Sequence, residues 1–313
     1  MPSPATDCPP TAQAANGPAQ RPHFALLLRL CAGFLWATML MLIKLADARG
    51  IHFVQILFAR QFMTIPILLG YLAMRGQLSV MRTNRLGSHA GRAVSGTIAM
   101  VLTFAAPILL PLTVATTFGF TSPMFATILS ALLLREHVGR WRWLATILGF
   151  GGVILVADPF NASVPLVGAL VAIGSAMMIA FISIQIRDLT RTEDSLAIVC
   201  WFSIFASPFL LIALLFTSWD GGMTGLLLLA GIAISGLLGQ ILLTLSLRYG
   251  EVSSVIAMDY MMLLWATFYG WSIFDSLPPA GLWLGAPIVI ASGAIIVWRE
   301  QVLAKQRNEA VLR

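Results

Sequence analysis

Apolar residues form long, nearly uninterrupted runs along this chain, separated by short polar or charged clusters. A helix needs about 20 apolar residues to cross a hydrocarbon core of about 30 Å. By this measure the pattern predicts ten transmembrane helices, at residues 30–46, 53–74, 93–109, 112–134, 141–157, 165–186, 195–216, 225–247, 252–273 and 280–298. The sequence therefore predicts an all-α polytopic membrane protein.

Two of the apolar runs are too long for one helix. The uncharged run 93–134 is expected to break between Pro107 and Pro111, because proline removes a backbone donor and restricts the residue before it. The run 225–273 divides at the polar segment from Arg248 to Glu251. Outside the spans, residues 1–23 predict a disordered tail poor in large apolar residues, and residues 299–313 a cytoplasmic C-terminal tail.

The composition supports the membrane assignment. Of 313 residues, 58% are hydrophobic and 10% are charged, whereas soluble domains carry about 25% charged residues. A chain of this length could not bury so much apolar surface in water. The basic pI of about 9.8 is explained by cytoplasmic loops rather than by a nucleic-acid partner.

The basic residues predict the orientation of the chain in the membrane. With ten helices and the N-terminus inside, sixteen of them fall at the inner side, only Arg49 falls outside, and Lys44 and Arg60 lie within helices, which accounts for all 19. Lysine and arginine concentrate in cytoplasmic loops. We therefore expect a multi-pass protein of the inner membrane with both termini in the cytoplasm.

The two halves of the chain are similar to each other at a shift of about 140 residues. The segment Leu134 to Glu136 precedes a helix with Trp143 and a glycine pair, and the segment Ile273 to Asp275 precedes a helix with Trp283 and Gly293. Because five helices is an odd number, the second repeat must enter the membrane the other way up. We expect an inverted pair of five-helix repeats, 24–158 and 164–298.

Several motifs in the first half resemble the EamA-type transporters of the drug/metabolite transporter superfamily. They are the run from Ala131 to Glu136, the tryptophan-rich start of the fifth helix, the stretch Gly149 to Val153, and the segments 112–116 and 122–125. Arg135, Phe274, Asp275 and Met262 depart from the pattern of that family. The resemblance implies the inverted-repeat fold and transport of metabolites or drugs, and it leaves the substrate open.

Two charged residues fall well inside predicted helices. Arg60 lies about eight residues into the second helix, and Asp259 about seven residues into the ninth. Arginine at a helix centre costs about 2.5–3.5 kcal/mol on insertion scales. Arg60 is either a clamp for a substrate carboxylate or phosphate, or a residue that snorkels to the interface or forms a structural pair with a neighbouring helix, for example with Asp259. Asp259 is either a proton-coupling carboxylate or counter-charge for a cationic substrate group, or a static partner of Arg60 or Lys44.

Other candidates are polar or aromatic. The amide of Gln240, in the middle of the eighth helix, is a candidate substrate contact. Trp36, Tyr260, Trp265 and Tyr269 are candidates for stacking on a planar substrate, with interface anchoring or plain packing as the alternative. Gly149, Gly151, Gly152 and Gly293 are expected to permit close helix packing.

These observations favour a secondary active transporter of a small organic metabolite resembling an amino acid, vitamin or cofactor. It would work by alternating access in the cytoplasmic membrane and be coupled to protons. An exporter of drugs or toxic amines is the alternative within the same fold, and a membrane enzyme or a channel is the alternative from other classes. No cofactor or metal is expected, because the four histidines lie outside the spans and share no motif. The expected partners are the substrate and the bilayer, and a homodimer is compatible with this class.

Overall fold

The structure, a computed structural model, describes residues 22–133, 139–157, 164–189, 192–218, 221–249, 261–276, 278 and 280–311. Throughout these ranges the regular structure is helical, and none of it is strand. The helices are α1 (Pro22–Ala48), α2 (Phe53–Met74), α3 (Leu86–Leu109), α4 (Leu112–Gly119), α5 (Ser122–Leu133), α6 (Arg140–Ala157), α7 (Leu166–Leu189), α8 (Ser195–Leu214), α9 (Gly222–Tyr249), α10 (Met261–Phe274) and α11 (Ala280–Val311), with a 3₁₀ turn at Leu78–Met81.

Most predicted helices have observed counterparts. Helix α2 has the predicted bounds, and its N-terminus is capped by His52, which accepts a hydrogen bond from the amide of Val54. The break after Leu109 lies between the two prolines. Residues 1–21, most of the predicted N-terminal tail, and residues 252–260, the start of the predicted ninth helix, lie outside the described residues.

Three sequence predictions need correction. Helix α3 begins at Leu86 instead of residue 93, so Arg92 lies within it. Helix α1 begins at Pro22, so the buried Arg29 also lies within a helix. The predicted fourth span consists of α4 and α5, which are separated where the Thr121 hydroxyl donates to the carbonyl of Phe118. Apolar flanking residues extend α1 and α3 beyond the predicted bounds. Helix α5 starts anew next to Pro123, which lies in its first turn and has no amide hydrogen to continue the hydrogen bonds of α4.

Seven apolar stretches in the described part of the chain are long enough to cross a membrane. They are Leu27–Ala48, Phe53–Met74, Leu86–Leu109, Leu112–Leu129, Leu166–Ile186, Leu196–Leu214 and Gly222–Leu242. Three shorter apolar helices overlap with the remaining predicted spans: Trp143–Leu155, Met262–Phe274 and Ala280–Ile295. The protein is thus a polytopic membrane protein, and ten crossings remain a prediction.

Large apolar side chains cover the outside of the bundle. Ile147, Phe209 and Leu227 are each about two-thirds exposed in the absence of lipid. In water such a surface would drive aggregation, but in a bilayer it meets hydrocarbon. The outward faces are therefore the lipid-facing faces.

Helices from the two halves of the chain pack on each other throughout the bundle. Helix α1 packs on α9 and α3 on α7, while α2 packs on α8 and α6 on α11. One buried apolar cluster lies among α1, α2, α3, α9 and α10, and a second among α4, α6, α7 and α11. The centre of the bundle is thus built from both halves.

The packing of α6 on α11 depends on Gly152. A Cβ at this position would lie 2.9 Å from the carbonyl oxygen of Gly285 and 3.0 Å from methyl groups of Ile288 and Val289. At neighbouring Gly151 a Cβ would meet nothing within 4 Å. The expectation of close packing is confirmed for Gly152 and is wrong for Gly151, which lies on the exposed side of α6.

We expect Gly152→Ala to destabilise the protein by about 1–3 kcal/mol, because the new methyl group forces α11 away from α6. The measurement is thermal unfolding of the purified protein in detergent. Gly151→Ala is the matched control and should leave stability unchanged or raise it slightly, since alanine favours the helix. Equal melting temperatures for the two variants would contradict the close contact.

Candidate functional site

The sequence-predicted site residues occupy four helices. Trp36 lies on α1, Arg60 on α2, Gln240 on α9 and Trp265 on α10. Asp259 and Tyr260 lie outside the described residues. The structure brings Arg60 and Trp36 together and places Trp265 beside Phe34, while Gln240 lies on α9 one turn after Gly236, which adjoins Arg60.

Arg60 points into the centre of the bundle between two aromatic rings. Its guanidinium carbon lies 5.7 Å from the ring centre of Trp36 and 5.6 Å from that of Phe104 on α3. Its Nη1 donates to Oε1 of Gln61 at 2.8 Å and lies 3.6 Å from the sulfur of Met100. Cation–π contacts of this kind strengthen when water is excluded. They hold the charge at the interface of the two halves.

Two glycines of α9 make space for this arrangement. A Cβ at Gly236 would lie 2.8 Å from the sulfur of Met39 and 3.4 Å from Nε of Arg60. A Cβ at Gly239 would lie 3.0 Å from Cδ1 of Trp36. Small residues allow the α1 and α9 backbones to approach closely. Helix α9 thereby forms one wall around Arg60 and Trp36.

Arg92 is a second buried arginine, which the sequence analysis assigned to the cytoplasmic side. Its guanidinium lies 4.7 Å from the ring centre of Phe202 on α8. Its Nη1 occupies the space over Gly96, where a Cβ would collide with it. Arg60 contacts Met100 on the same face of α3 as Gly96, so both positive charges lie beside this face. The sequence pattern that would have identified Arg92 as a site residue is the four-residue spacing of Arg92, Gly96 and Met100, which puts all three on one face of α3.

Several hydrogen-bond donors of the two arginines and their neighbours have no partner. Among the buried atoms without a hydrogen-bond partner are Nε of Arg60, Nε2 of Gln61, Nε1 of Trp36, and Nε and Nη1 of Arg92, together with the hydroxyls of Ser203 and Ser207 on α8. In the part of the chain that the structure describes, no carboxylate lies within 4.0 Å of either guanidinium. Gln61 is only 1% exposed, and the sequence analysis had missed it.

Trp265 lies away from this centre, whereas Gln240 lies on α9 one turn after Gly236. Trp265 is 37% exposed and packs edge-on against Phe34, with 5.0 Å between ring centres. Phe34 is two residues from Trp36 and so faces a different side of α1. Gln240 is half-buried and directly follows Gly239. Tyr269 is buried and shares a 2.8 Å hydrogen bond with the hydroxyl of Thr38, consistent with packing between α1 and α10.

A polar network joins the two halves at the N-terminal end of α3. The hydroxyl of Thr83 donates to Glu193 at 2.7 Å, and Nε2 of His89 lies 3.7 Å from the same carboxylate. Arg85 forms an ion pair with Asp188. Farther along α3, Ser95 donates to Oε1 of Gln185 at 2.5 Å. Trp201 on α8 donates to the carbonyl of Met81, in the 3₁₀ turn that precedes α3, at 3.1 Å. We call Thr83, His89 and Glu193 the latch.

Different contacts close the opposite end of the bundle. Nζ of Lys44 donates to the carbonyl of Leu110 at 2.6 Å and lies 5.5 Å from the ring centre of Phe274. Nε2 of Gln55 donates to the carbonyl of Ser218 at 2.8 Å. Arg60 therefore lies between two layers of contacts, while Arg92 lies on α3 between His89 and Ser95, at the level of the first layer.

A lateral groove of about 370 Å³ lies beside this region. It is lined almost entirely by apolar side chains of α2, α8 and α9, among them Phe58, Phe62 and Leu229. None of the sequence-predicted site residues lines it. Its composition is that of a surface facing lipid chains.

Comparison with known proteins gives consistent results. The sequence model of the EamA-like transporter family matches residues 23–157 and again 166–298. The riboflavin transporter of Vibrio cholerae is 31% identical over 91% of this chain and 96% of its own. The pseudopaline exporter CntI of Pseudomonas aeruginosa is 30% identical over 87% of this chain and 93% of its own.

A solved crystal structure has the same fold. It superposes with a TM-score of 0.61 at 17% identity, over 90% of this chain and 99% of the other. The family and its named relatives are transporters, not enzymes. This chain, with helices from both halves enclosing two buried arginines, belongs to the EamA-like transporter family.

Proposed function

We propose that the protein is a secondary active transporter that carries a small organic metabolite with an anionic group through the cytoplasmic membrane by alternating access. The observation that carries the proposal is the buried guanidinium of Arg60, held between Trp36 and Phe104 where the two halves meet. A charge so deep in an apolar bundle is costly. A substrate carboxylate or phosphate would offset that cost through two parallel hydrogen bonds.

The relatives support a vitamin-like substrate. Relatives from Vibrio cholerae and Rhizobium johnstonii are named riboflavin transporters. The aromatic faces of Trp36 and Phe104 suit a flat ring system, and the arginines suit an acidic substituent on it. The alternative of a toxic-amine exporter is less well supported, because two buried guanidinium groups repel a cationic amine.

Two observations support the inverted repeats. The family model matches the chain twice, once in each half. If the helices of the halves are paired in order, α1 corresponds to α7 and α3 to α9, so the contact of α1 with α9 corresponds to that of α7 with α3. A contact in one repeat and its counterpart in the other correspond in this way when the two repeats are related by a two-fold axis. In this arrangement the chain crosses the membrane ten times, with Arg60 near the midplane.

The basic residues support an orientation with both termini in the cytoplasm. Placing Arg29 and Arg92 within helices leaves the other fourteen at the inner side against Arg49 outside. The latch then closes the cytoplasmic end, and the contacts of Lys44 and Gln55 close the outer end. Alternating access would open one layer at a time. We assign proton coupling to Asp259, the carboxylic acid within the predicted ninth helix.

The Arg60 test uses counterflow in liposomes containing the purified protein. Riboflavin and riboflavin 5′-phosphate are the first pair of substrates, since they share one ring system and differ in the anionic group. We expect Arg60→Lys to raise the KM for the phosphorylated substrate at least about tenfold, because lysine keeps the charge but not the planar guanidinium that binds the anion through two hydrogen bonds. Arg75→Lys is the matched control at the exposed end of α2 and should transport normally.

The structural alternative for Arg60 predicts another pattern. If Arg60 only neutralises Asp259, the double variant Arg60→Gln/Asp259→Asn should fold and transport better than either single variant, since a lone buried charge is the costly state. That result, together with an unchanged KM in Arg60→Lys, would contradict the anion-binding role.

The coupling role of Asp259 predicts separate effects on accumulation and exchange. Asp259→Asn should abolish accumulation driven by a proton gradient and leave counterflow partly intact, because the amide keeps the shape but cannot release a proton. The measurement compares both activities in the same liposomes across a pH series. Accumulation equal to wild type at every pH would remove Asp259 from the mechanism.

The latch should control access from the cytoplasm. We expect Glu193→Gln to weaken the contacts with Thr83 and His89 and so to speed labelling of Ser95→Cys, otherwise a buried position, in inside-out vesicles. The reagent is a membrane-impermeant maleimide, applied to a background without native cysteines. Asp194→Asn is the matched control, since this neighbour only caps α8 and asparagine caps equally well. An unchanged labelling rate would contradict the latch, and labelling only from the outside would contradict the orientation.

A further inference from the structure

Arg92 carries an inference that rests on the proposed function and extends it. We propose that Arg60 and Arg92 together bind one dianionic group of the substrate, so that Arg92 is a second substrate-binding residue. The dianion is either a phosphoryl group or a pair of neighbouring carboxylates.

The first observation is the spacing of the two guanidinium groups along α3. Nη1 of Arg60 contacts Met100, and Nη1 of Arg92 lies over Gly96. Gly96 and Met100 are four residues apart and lie on one face of α3. Both guanidinium groups therefore lie beside this face, where one ligand group with several acceptor oxygens would accept hydrogen bonds from each.

The second observation is that both arginines keep donors without partners. Nitrogen donors of Arg60, Gln61, Trp36 and Arg92 are among the buried atoms that have no hydrogen-bond partner, together with the hydroxyls of Ser203 and Ser207 on α8. Each buried donor without a partner costs about 1–3 kcal/mol. A ligand rich in acceptor oxygens would satisfy several of them at once, whereas a cationic or apolar ligand would satisfy none.

The third observation is that two positive charges lie beside one face of α3 with no neutralising group close by. Among the described residues, no carboxylate lies within 4.0 Å of either guanidinium. A negative charge next to both would offset the cost of holding them away from water. A single negative charge would balance only one of the two cations, so a dianion is the better match.

Gly96 allows the side chain of Arg92 to occupy this position. Its missing side chain leaves the space that the guanidinium occupies, beside the ring of Phe202. Gly96→Ala would displace the guanidinium without removing its charge, because a Cβ there would collide with Nη1 of Arg92, the end of a flexible side chain, and would also press on the Phe202 ring at 2.8 Å. Gly91→Ala on the same helix is the matched control, since a Cβ there meets nothing within 4 Å.

The experiment measures binding of simple anions to the purified full-length protein in detergent. Inorganic phosphate, succinate and acetate are titrated at pH 8 and constant ionic strength, with the melting temperature as the readout. We expect phosphate or succinate, but not acetate, to stabilise the wild-type protein. Stabilisation by phosphate alone indicates a phosphoryl group, and stabilisation by succinate alone indicates a carboxylate pair.

The variants separate the two arginines. We expect Arg60→Gln and Arg92→Gln each to abolish the stabilisation, and Gly96→Ala to weaken binding at least about tenfold, while Gly91→Ala binds like wild type. If Arg92→Gln does not fold, Arg92→Lys and Gly96→Ala give the same test.

Several results would overturn the proposal. Normal binding in Arg92→Gln and Gly96→Ala, with loss in Arg60→Gln, would remove Arg92 and leave the proposed function standing. Acetate stabilising as strongly as the dianions would also assign the site to one guanidinium. Normal dianion binding in Arg60→Gln, or no binding of any anion to the wild-type protein, would count against the two-arginine site. If the KM of Arg60→Lys in liposomes is also unchanged, the proposed binding of a substrate anion by Arg60 is contradicted as well.

Discussion

The positive charge of Arg60 is the constraint on which the centre of this protein depends. A guanidinium among apolar helices has no water around it, so the surrounding residues must replace the lost hydration. Trp36 and Phe104 present ring faces to it, and the Gln61 carbonyl oxygen accepts one of its hydrogen bonds. The neighbouring helices supply space by leaving out side chains, as Gly236 does on α9. The charge therefore determines which residues can line the interface of the halves.

The bilayer sets the second constraint. Because lipid cannot hydrogen-bond to backbone groups, each crossing segment must be helical. Hydrophobicity then no longer distinguishes the inside of the bundle from its outside, since both are apolar. Close helix contacts rely on the fit of small residues, as where α6 meets α11 at Gly152. Polar side chains are concentrated where the halves must separate, at the latch and around Arg60.

Both halves contribute to the central site, and this has a mechanical consequence. Arg60 and Arg92 belong to the first half, while Phe202 and Gly236 belong to the second. Contacts on either side of the site connect the same halves: the latch at one end and Gln55 with Ser218 at the other. Movement of one half against the other would change the exposure of the site without unfolding any helix. Such an arrangement suits the alternating exposure that a carrier requires.

The sequence by itself determined the local features. It placed α2 at its observed bounds and the break between α3 and α4 at the proline pair, because chain length in an apolar run and the missing amide of proline are local properties. It also identified Arg60, since a charge inside such a run is visible without a structure. It did not find that α3 begins early enough to include Arg92.

Only the tertiary structure decided which residues meet. Trp36 and Trp265 were equal candidates in the sequence, but the fold brings Trp36 to Arg60 and leaves Trp265 37% exposed beside Phe34. Gln61 and Phe104 joined the site without any earlier sign of it, and Arg92 joined it because α3 begins earlier than predicted. The physical reason is that an apolar solvent removes the alternation of polar and apolar faces by which a water-soluble helix shows its buried side. Contacts between helices far apart in the chain then follow from shape and charge, which appear only when the helices are packed.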